Sequence, residues 1–214
     1  MARRLKFDIP GPDWRVDPER LRAESIASLF EVESSPRLCV EIGYGGGEFL
    51  LEQARRDPGG VYLGLEISHK RSLKMARRLA RTELSNIRLL EVPAEYVVCE
   101  LLPPAVVCTF WVNYPDPWPK RRHQRRRLLQ PDFVRDLCAR LLPSGSIEVA
   151  TDHAAYAEAI AAVLSAEPGL ENAFPAPFLR EVPGRPPTRY ERKWLAEERP
   201  LHFFRYRRSG PPCA

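Results

Sequence analysis

Two acidic residues and a run of glycines stand where a small cationic ligand could be held. Glu41 precedes the glycines in Glu41-Ile42-Gly43-Tyr44-Gly45-Gly46-Gly47, and Glu66 closes the next apolar run. Glycine allows a sharp turn and lets a ligand approach the backbone closely. A carboxylate at the position of Glu66 can accept hydrogen bonds from both ribose hydroxyls of a nucleotide-like cofactor. A second candidate for chemistry is Asn113-Tyr114-Pro115-Asp116-Pro117-Trp118-Pro119-Lys120. Its three prolines preset the backbone, so Asp116 and Lys120 are held with little entropy left to lose. Directly after it, Lys120 to Arg127 packs six formal positive charges into eight residues. Such a run suits phosphates, although charge runs are more often plain solvated surface.

The glycine pattern discriminates between cofactors. A dinucleotide site asks for GxGxxG, and counting from Gly43 the last position falls on Glu48. An anion at a helix start repels a pyrophosphate, so a nicotinamide-dependent oxidoreductase is disfavoured. S-adenosylmethionine fits better: Glu41 can attract its ammonium and sulfonium, and loop amides can take its carboxylate. Gly43 and Gly45 are the expected backbone contacts. Asn113 is expected to contact the cofactor or orient the backbone beside it.

The elements that must position these residues read as alternating strands and helices. Asp17-Pro18 opens a helix through Phe30. Strands are expected at Leu38–Ile42, Val61–Glu66, Ile87–Val92, Ala105–Val112 and Ile147–Ala150, with a last one near Leu201–Tyr206. Helices are expected at Phe49–Ala54, from Ser68 to Arg81, around Pro131–Leu141, and from an Asp152 cap to Leu164. This alternation predicts an α/β fold, a doubly wound, mostly parallel Rossmann-like sheet with helices on both faces. Ligands of such sheets sit beyond the carboxyl ends of the strands. Glu41 to Gly47, Glu66, Asn113 to Lys120 and Thr151-Asp152 all fall there, so they should line one cleft. Residues 1–35 read as an extension with a helix, and 36–214 as the cofactor-binding domain.

Composition sets the outer limits. The chain has 214 residues, 44% hydrophobic and 29% charged, which suits one domain with an extension. No apolar run approaches the ~20 residues of a membrane span, and the start MARRLKFDIPGPDW lacks a signal peptide's apolar stretch. A cytoplasmic protein is therefore expected. Five cysteines without a CxxC and four histidines without ligand spacing predict neither disulfides nor a metal site. The net charge of +5 is mild, but Arg3, Arg4 and Lys6 add to the basic run. All but five of the 33 basic residues are arginine, which fits a GC-rich genome or a thermophile equally well.

Taken together, the Glu41-Ile42-Gly43 loop, Glu66, the DPWPK-RxH-xRR string from Asp116 to Arg127, Thr151-Asp152 and Thr188-Arg189-Tyr190-Glu191 resemble the bacterial tRNA (guanine-N7)-methyltransferases. The resemblance spans roughly residues 36 to 206. It implies methyl transfer from S-adenosylmethionine to N7 of a tRNA guanine, the variable-loop guanine at tRNA position 46. It implies cofactor contacts from Glu41 and Glu66, and an active-site role for Asp116. It sets Lys120, Arg121, His123, Asp152 and Thr188 to Glu191 on the substrate side, with tRNA as partner. One departure stands out. Where the family commonly carries an acidic or amide residue near the adenine, this chain reads Val92-Pro93-Ala94-Glu95, which leaves the Ala94 backbone or Glu95 for that contact.

Guanine N7 carries a free lone pair and attacks without first losing a proton. Asp116 is therefore expected to orient the base and stabilise its developing positive charge rather than act as a general base. Asp152 and Glu191 are candidates for the same rim. If the basic run is helical, Arg122, Arg125 and Arg126 share a face toward RNA, while His123 either orients the loop or meets a base. Thr188 to Glu191 reads as a substrate clamp or as a helix cap with Tyr190 packed inward. A noncatalytic RNA-binding protein on the same fold is the remaining alternative; it would be favoured by loss of the cofactor acids, and both are present. The sequence leaves monomer and homodimer open.

Overall fold

The computed structural model describes residues 8–33 and 35–209, so the expectations placed on Arg3, Arg4 and Lys6 lie outside the described residues. One sheet of seven strands runs through the molecule in the order β3-β2-β1-β4-β5-β7-β6. The strands are β1 (Arg37–Ile42), β2 (Gly60–Leu65), β3 (Ile87–Leu90), β4 (Val107–Asn113), β5 (Leu141–Thr151), β6 (Leu170–Asn172) and β7 (His202–Arg208). β1 to β5 pair in parallel, and β7 returns antiparallel between β5 and β6. The strand order turns outward from β1 in both directions, toward β2 and toward β4. That reversal opens a crevice at the carboxyl ends of β1 and β4.

Helices cover both faces, as the alternation predicts. On one face α3 (Glu48–Arg56) and α4 (His69–Leu79) bury Phe49, Leu50, Met75, Ala76 and Leu79 against Tyr62 and Trp111. On the other lie α1 (Pro18–Ala23), α2 (Ile26–Phe30), α5 (Ala94–Tyr96, continuing as a wider turn through Leu101), α6 (Pro131–Arg140) and α7 (Ala154–Ala166). Leu29, Phe110, Leu137, Tyr156 and Ile160 are fully buried in that layer. The short helix α8 (Arg189–Ala196) leads into β7. Leu21, Leu29 and Phe30 of the N-terminal segment belong to the same core as the sheet, and residues 14–16 bond to Leu89 at the β3 edge.

Several boundaries differ from the sequence expectation, each for a local reason. The helix expected from Asp17 to Phe30 breaks in two. Asp17 caps α1 as expected, but Ser25 accepts from the Ser28 N–H and starts α2 afresh; a serine hydroxyl competes for backbone amides in this way. α7 is capped by the His153 ring, not by Asp152. β5 begins at Leu141, immediately after α6. Its pairing with β4 jumps from Val107–Leu141 to Thr109–Ser146, so Pro143 to Gly145 bulge out of the ladder. β6, only three residues long, has no counterpart among the expected strands. The basic run forms a 3-10 helix from Arg121 to Arg126, not an α-helix, and at three residues per turn Arg122 and Arg125 share one side.

Candidate functional site

β1 delivers Glu41 into the crevice, and the chain then turns through Gly43, Gly45 and Gly47, all with left-handed φ of 73°, 54° and 73°. A Cβ on Gly47 would lie 2.0 Å from the Met75 sulfur, so this glycine seats α4 against the loop. A Cβ on Gly43 would meet nothing within 4 Å. Gly43 therefore faces open cleft, and only its φ demands glycine.

Glu41 is 2% exposed. Its Oε1 accepts from Asn113 Nδ2 at 2.9 Å, while its Oε2 is buried without a partner. Burial pushes its pKa up to about 7, against the opposing effects of the Asn113 bond and the Arg185 charge. A half-satisfied carboxylate on the floor of a cleft is a place for a cation. Glu66 is also buried, and its carboxylate accepts from the Gly45 N–H at 3.1 Å and the Ser68 N–H at 3.0 Å, with Arg71 at 3.5 Å. It thereby ties the glycine loop to the end of β2.

The two acids open onto adjoining cavities. One, of about 340 Å³, is lined by Gly43, Glu66, Ile67, Val92, Ala94, Glu95, Asn113, Asp116, Trp118 and Arg126, among others. The other is smaller and is lined by Glu41, Gly43, Gly45, Asn113, Tyr114, Thr188 and Tyr190, among others. The structure thus brings Glu41, Gly43, Gly45, Glu66, Asn113 and Asp116 to one crevice. Ala94 and Glu95 line the wall at which the sequence places an adenine contact.

Asp116 is exposed at the cleft wall in a strained segment. Tyr114 and Trp118 hold φ of 56° and 40°, left-handed conformations that cost about 1–3 kcal/mol each for residues other than glycine. Three arginine and histidine side chains hold the shape. Arg127 donates to the Pro117 carbonyl at 2.9 Å and lies 4.6 Å over the Tyr156 ring. Arg126 lies 5.2 Å over Trp118, and His123 meets the same indole edge-on at 5.9 Å. Arg127 is buried, so its expected phosphate contact is corrected: it is a strut. Lys120, Arg121, Arg122 and Arg125 remain exposed beside the cleft.

Around α8, Thr188 and Glu191 form a reciprocal cap. The Glu191 N–H donates to Thr188 Oγ1 at 3.2 Å and the Thr188 N–H to Glu191 Oε2 at 3.1 Å. Glu191 is 3% exposed and so lies beneath the rim on which the sequence set it. Tyr190 points outward, 53% exposed, against the inward packing that the cap reading expects, and stacks on Trp194 at 5.4 Å. The side chain of Arg189 lies outside the described residues. Asp152, half-buried at the end of β5, faces Arg199 at 3.5 Å.

Sequence reasoning missed Arg185. Its guanidinium donates to Glu191 Oε1 and to Asn113 Oδ1, both at 2.5 Å. No local signal in a proline-rich loop marks a partner so far away in the chain. Among the described residues no group of three or more His, Cys, Asp or Glu is arranged to hold a metal ion. No helix there is long and apolar enough to cross a membrane.

Most of the chain is similar in sequence to known proteins. A family model described as "Putative methyltransferase" matches residues 35–204. The tRNA (guanine-N(7)-)-methyltransferase of Syntrophotalea carbinolica is 35% identical over 197 residues, covering 90% of this chain and 84% of the relative. That of Alkalilimnicola ehrlichii is 37% identical over 178 residues, covering 83% and 75%. Among solved structures, a mutant 16S rRNA (adenine(1408)-N(1))-methyltransferase with cosubstrate SAM from Catenulisporales acidiphilia superposes with a TM-score of 0.58. It is 18% identical and the match covers 93% of this chain and 94% of that one; such a likeness speaks for the fold.

Proposed function

The chain belongs to the family of bacterial tRNA (guanine-N7)-methyltransferases, and from that premise we propose that it methylates N7 of a tRNA guanine, the variable-loop guanine at position 46, in the cytoplasm. S-adenosylmethionine is the proposed donor, and its chemical contribution is an electrophilic methyl on a sulfonium. The observation that carries the reading is the unpartnered Oε2 of buried Glu41 on the floor of the crevice that Asp116 also lines.

The donor set fits that ligand. Glu41 supplies an anion for an ammonium, Gly43 leaves room beside the loop, and Glu66 presents a carboxylate for ribose hydroxyls. In the proposed arrangement Asn113 holds Glu41, and Glu66 holds the loop through Gly45 until the ligand takes up its oxygens. The absence of phosphate in this ligand agrees with Glu48 at the start of α3, where Arg78 pairs with it at 2.9 Å.

Guanine N7 needs no base to remove a proton before it attacks. Asp116 accepts hydrogen bonds from the guanine N1–H and amino group, fixing the ring, and its fixed negative charge favours the positive charge that develops there. Lys120, Arg121, Arg122 and Arg125 take backbone phosphates, which positions the RNA without reading its sequence. His123 acts through Trp118 in shaping this loop. Asp152 and the Thr188–Glu191 turn border the substrate side, with the exposed ring of Tyr190 as a surface for a base.

The decisive experiment is incubation with unmodified tRNA and S-adenosylmethionine, followed by mapping of the modified nucleotide. A 7-methylguanosine in the variable loop is the expected result. Methylation at another atom or base, or none with a folded enzyme, rejects the proposal.

A further inference from the structure

We infer that Arg185 is a positioning residue that sets the cofactor-side carboxylate and the substrate-side helix α8 in one arrangement, so that binding at either side favours binding at the other. The inference rests on the reading of the crevice as a site for S-adenosylmethionine and tRNA.

The side chain of Arg185 is 8% exposed. It is clamped between two aromatic faces, 4.8 Å from the Phe49 ring of α3 and 5.0 Å from the Phe203 ring of β7. From there the fork divides. Nη1 donates to Glu191 Oε1 and Nη2 to Asn113 Oδ1, each at 2.5 Å. A guanidinium can only donate, so Asn113 must turn its oxygen toward Arg185. Its Nδ2 is then left to face Glu41 Oε1, which it does at 2.9 Å. One cation thus decides which way the amide points and which carboxylate oxygen of Glu41 stays open. On the other branch, Glu191 spends its second oxygen on the Thr188 N–H that starts α8. Glu41, Asn113, Arg185, Glu191 and Thr188 form an unbroken chain of direct bonds from the floor of the cofactor cavity to the cap of the helix that carries Tyr190.

A core arginine with a purely structural task would need neither branch to end at the crevice. Here both do, and the smaller cavity is lined by Glu41 and Asn113 on one side and Thr188 and Tyr190 on the other. Coupling is reciprocal by thermodynamic necessity: whatever orders Glu191 and Arg185 also orders Asn113 and Glu41. The groups facing Glu41 are Asn113 from β4, Arg185 from the loop before α8, and Glu48 and the Leu50 backbone from α3. Of these Arg185 is the cation and Glu48 the opposing anion, so loss of Arg185 removes the one positive charge that favours ionised Glu41, and leaves only the Asn113 bond and the Leu50 N–H to oppose burial and Glu48.

The test uses the full chain, Arg185→Met and Arg185→Lys, with S-adenosylhomocysteine titrated calorimetrically between about pH 6 and 8.5, with and without tRNA. For the wild type, affinity rises with pH through a midpoint near 7 and tightens severalfold when tRNA is present. Arg185→Met moves the midpoint up, so that binding at neutral pH weakens severalfold, and abolishes the tRNA effect. Arg185→Lys keeps the charge and the midpoint, but one ammonium cannot reproduce the planar fork, so the tRNA effect falls. A folded Met variant with the wild-type midpoint and coupling, whatever its melting temperature, overturns the inference. If the Met variant does not fold, undiminished coupling in the Lys variant overturns it equally. Failure of the wild type to bind S-adenosylhomocysteine at any pH instead removes the reading of the crevice, and this inference with it.

Discussion

Asn113 at the end of β4 donates to Glu41 at the end of β1 across 2.9 Å, joining residues 72 positions apart at the point where the strand order reverses. The bond satisfies one oxygen of a carboxylate that burial otherwise penalises, and leaves the other oxygen for a cation. The behaviour of the molecule under titration and substitution should reflect that division.

Stability should depend on pH through Glu41. Its folded-state pKa is raised to about 7, so the native state binds a proton more tightly than the unfolded chain. Stability is then greatest at low pH on account of this group and declines as pH climbs from the unfolded carboxylate range through 7. The loss approaches ~3 kcal/mol, at about 1.4 kcal/mol for each pH unit separating the folded and unfolded values. Glu41→Gln should remove that slope, making the ligand-free variant more stable than wild type at pH 8. Its affinity for S-adenosylmethionine should nevertheless fall at least tenfold. Urea melts at pH 5 and pH 8 check the first part. Parallel curves for the two proteins would show that Glu41 is not the titrating group.

Glu66 has two tasks in this geometry, as acceptor for the Gly45 and Ser68 amides and as proposed partner of ribose. Glu66→Ala should weaken cofactor binding by about 2–3 kcal/mol. It should also lower the melting temperature of the ligand-free protein, because two loop amides lose their acceptor. Calorimetry with unchanged affinity would take Glu66 out of the cofactor site, whatever happens to the melt.

The arginines of the 121–127 segment should divide into two kinds. Neutralising Arg121, Arg122 and Arg125 together should weaken tRNA binding and flatten the dependence of log affinity on log salt, with cofactor affinity intact. Arg127→Ala should instead destabilise the fold by about 2 kcal/mol, since it strands the Pro117 carbonyl and uncovers Tyr156. A wild-type salt slope in the triple variant would return those side chains to ordinary solvated surface.

Asp116→Asn tests the chemistry. The change keeps shape, removes the negative field and turns an amide donor toward guanine donors. Single-turnover methylation should drop by about 100-fold or more, with cofactor affinity nearly unchanged because Glu41 and Glu66 carry that task. Near-wild-type methylation by the Asn variant would leave Asp116 as a residue of the proline turn.

The sequence alone determined the alternation of strands and helices, and with it the crevice at the strand ends. Apolar runs such as Val107 to Val112 and the glycines after Glu41 are local signals, because buried strands and left-handed turns are dictated by the residues within them. The same locality made Glu41, Glu66, Asn113 and Asp116 legible as site candidates. What depended on distant partners was not legible. Only the tertiary structure decided that Arg127 is buried over Tyr156 while Arg121 and Arg122 face solvent, since six similar charges in a row carry no mark of which one meets a ring. It alone decided that Glu191 lies beneath the rim and Tyr190 above it. It alone brought Arg185, anonymous among prolines, into reach of Asn113 and Glu191. A side chain's burial and the partner it meets are properties of what the rest of the chain packs against it, and no window of neighbouring residues contains them.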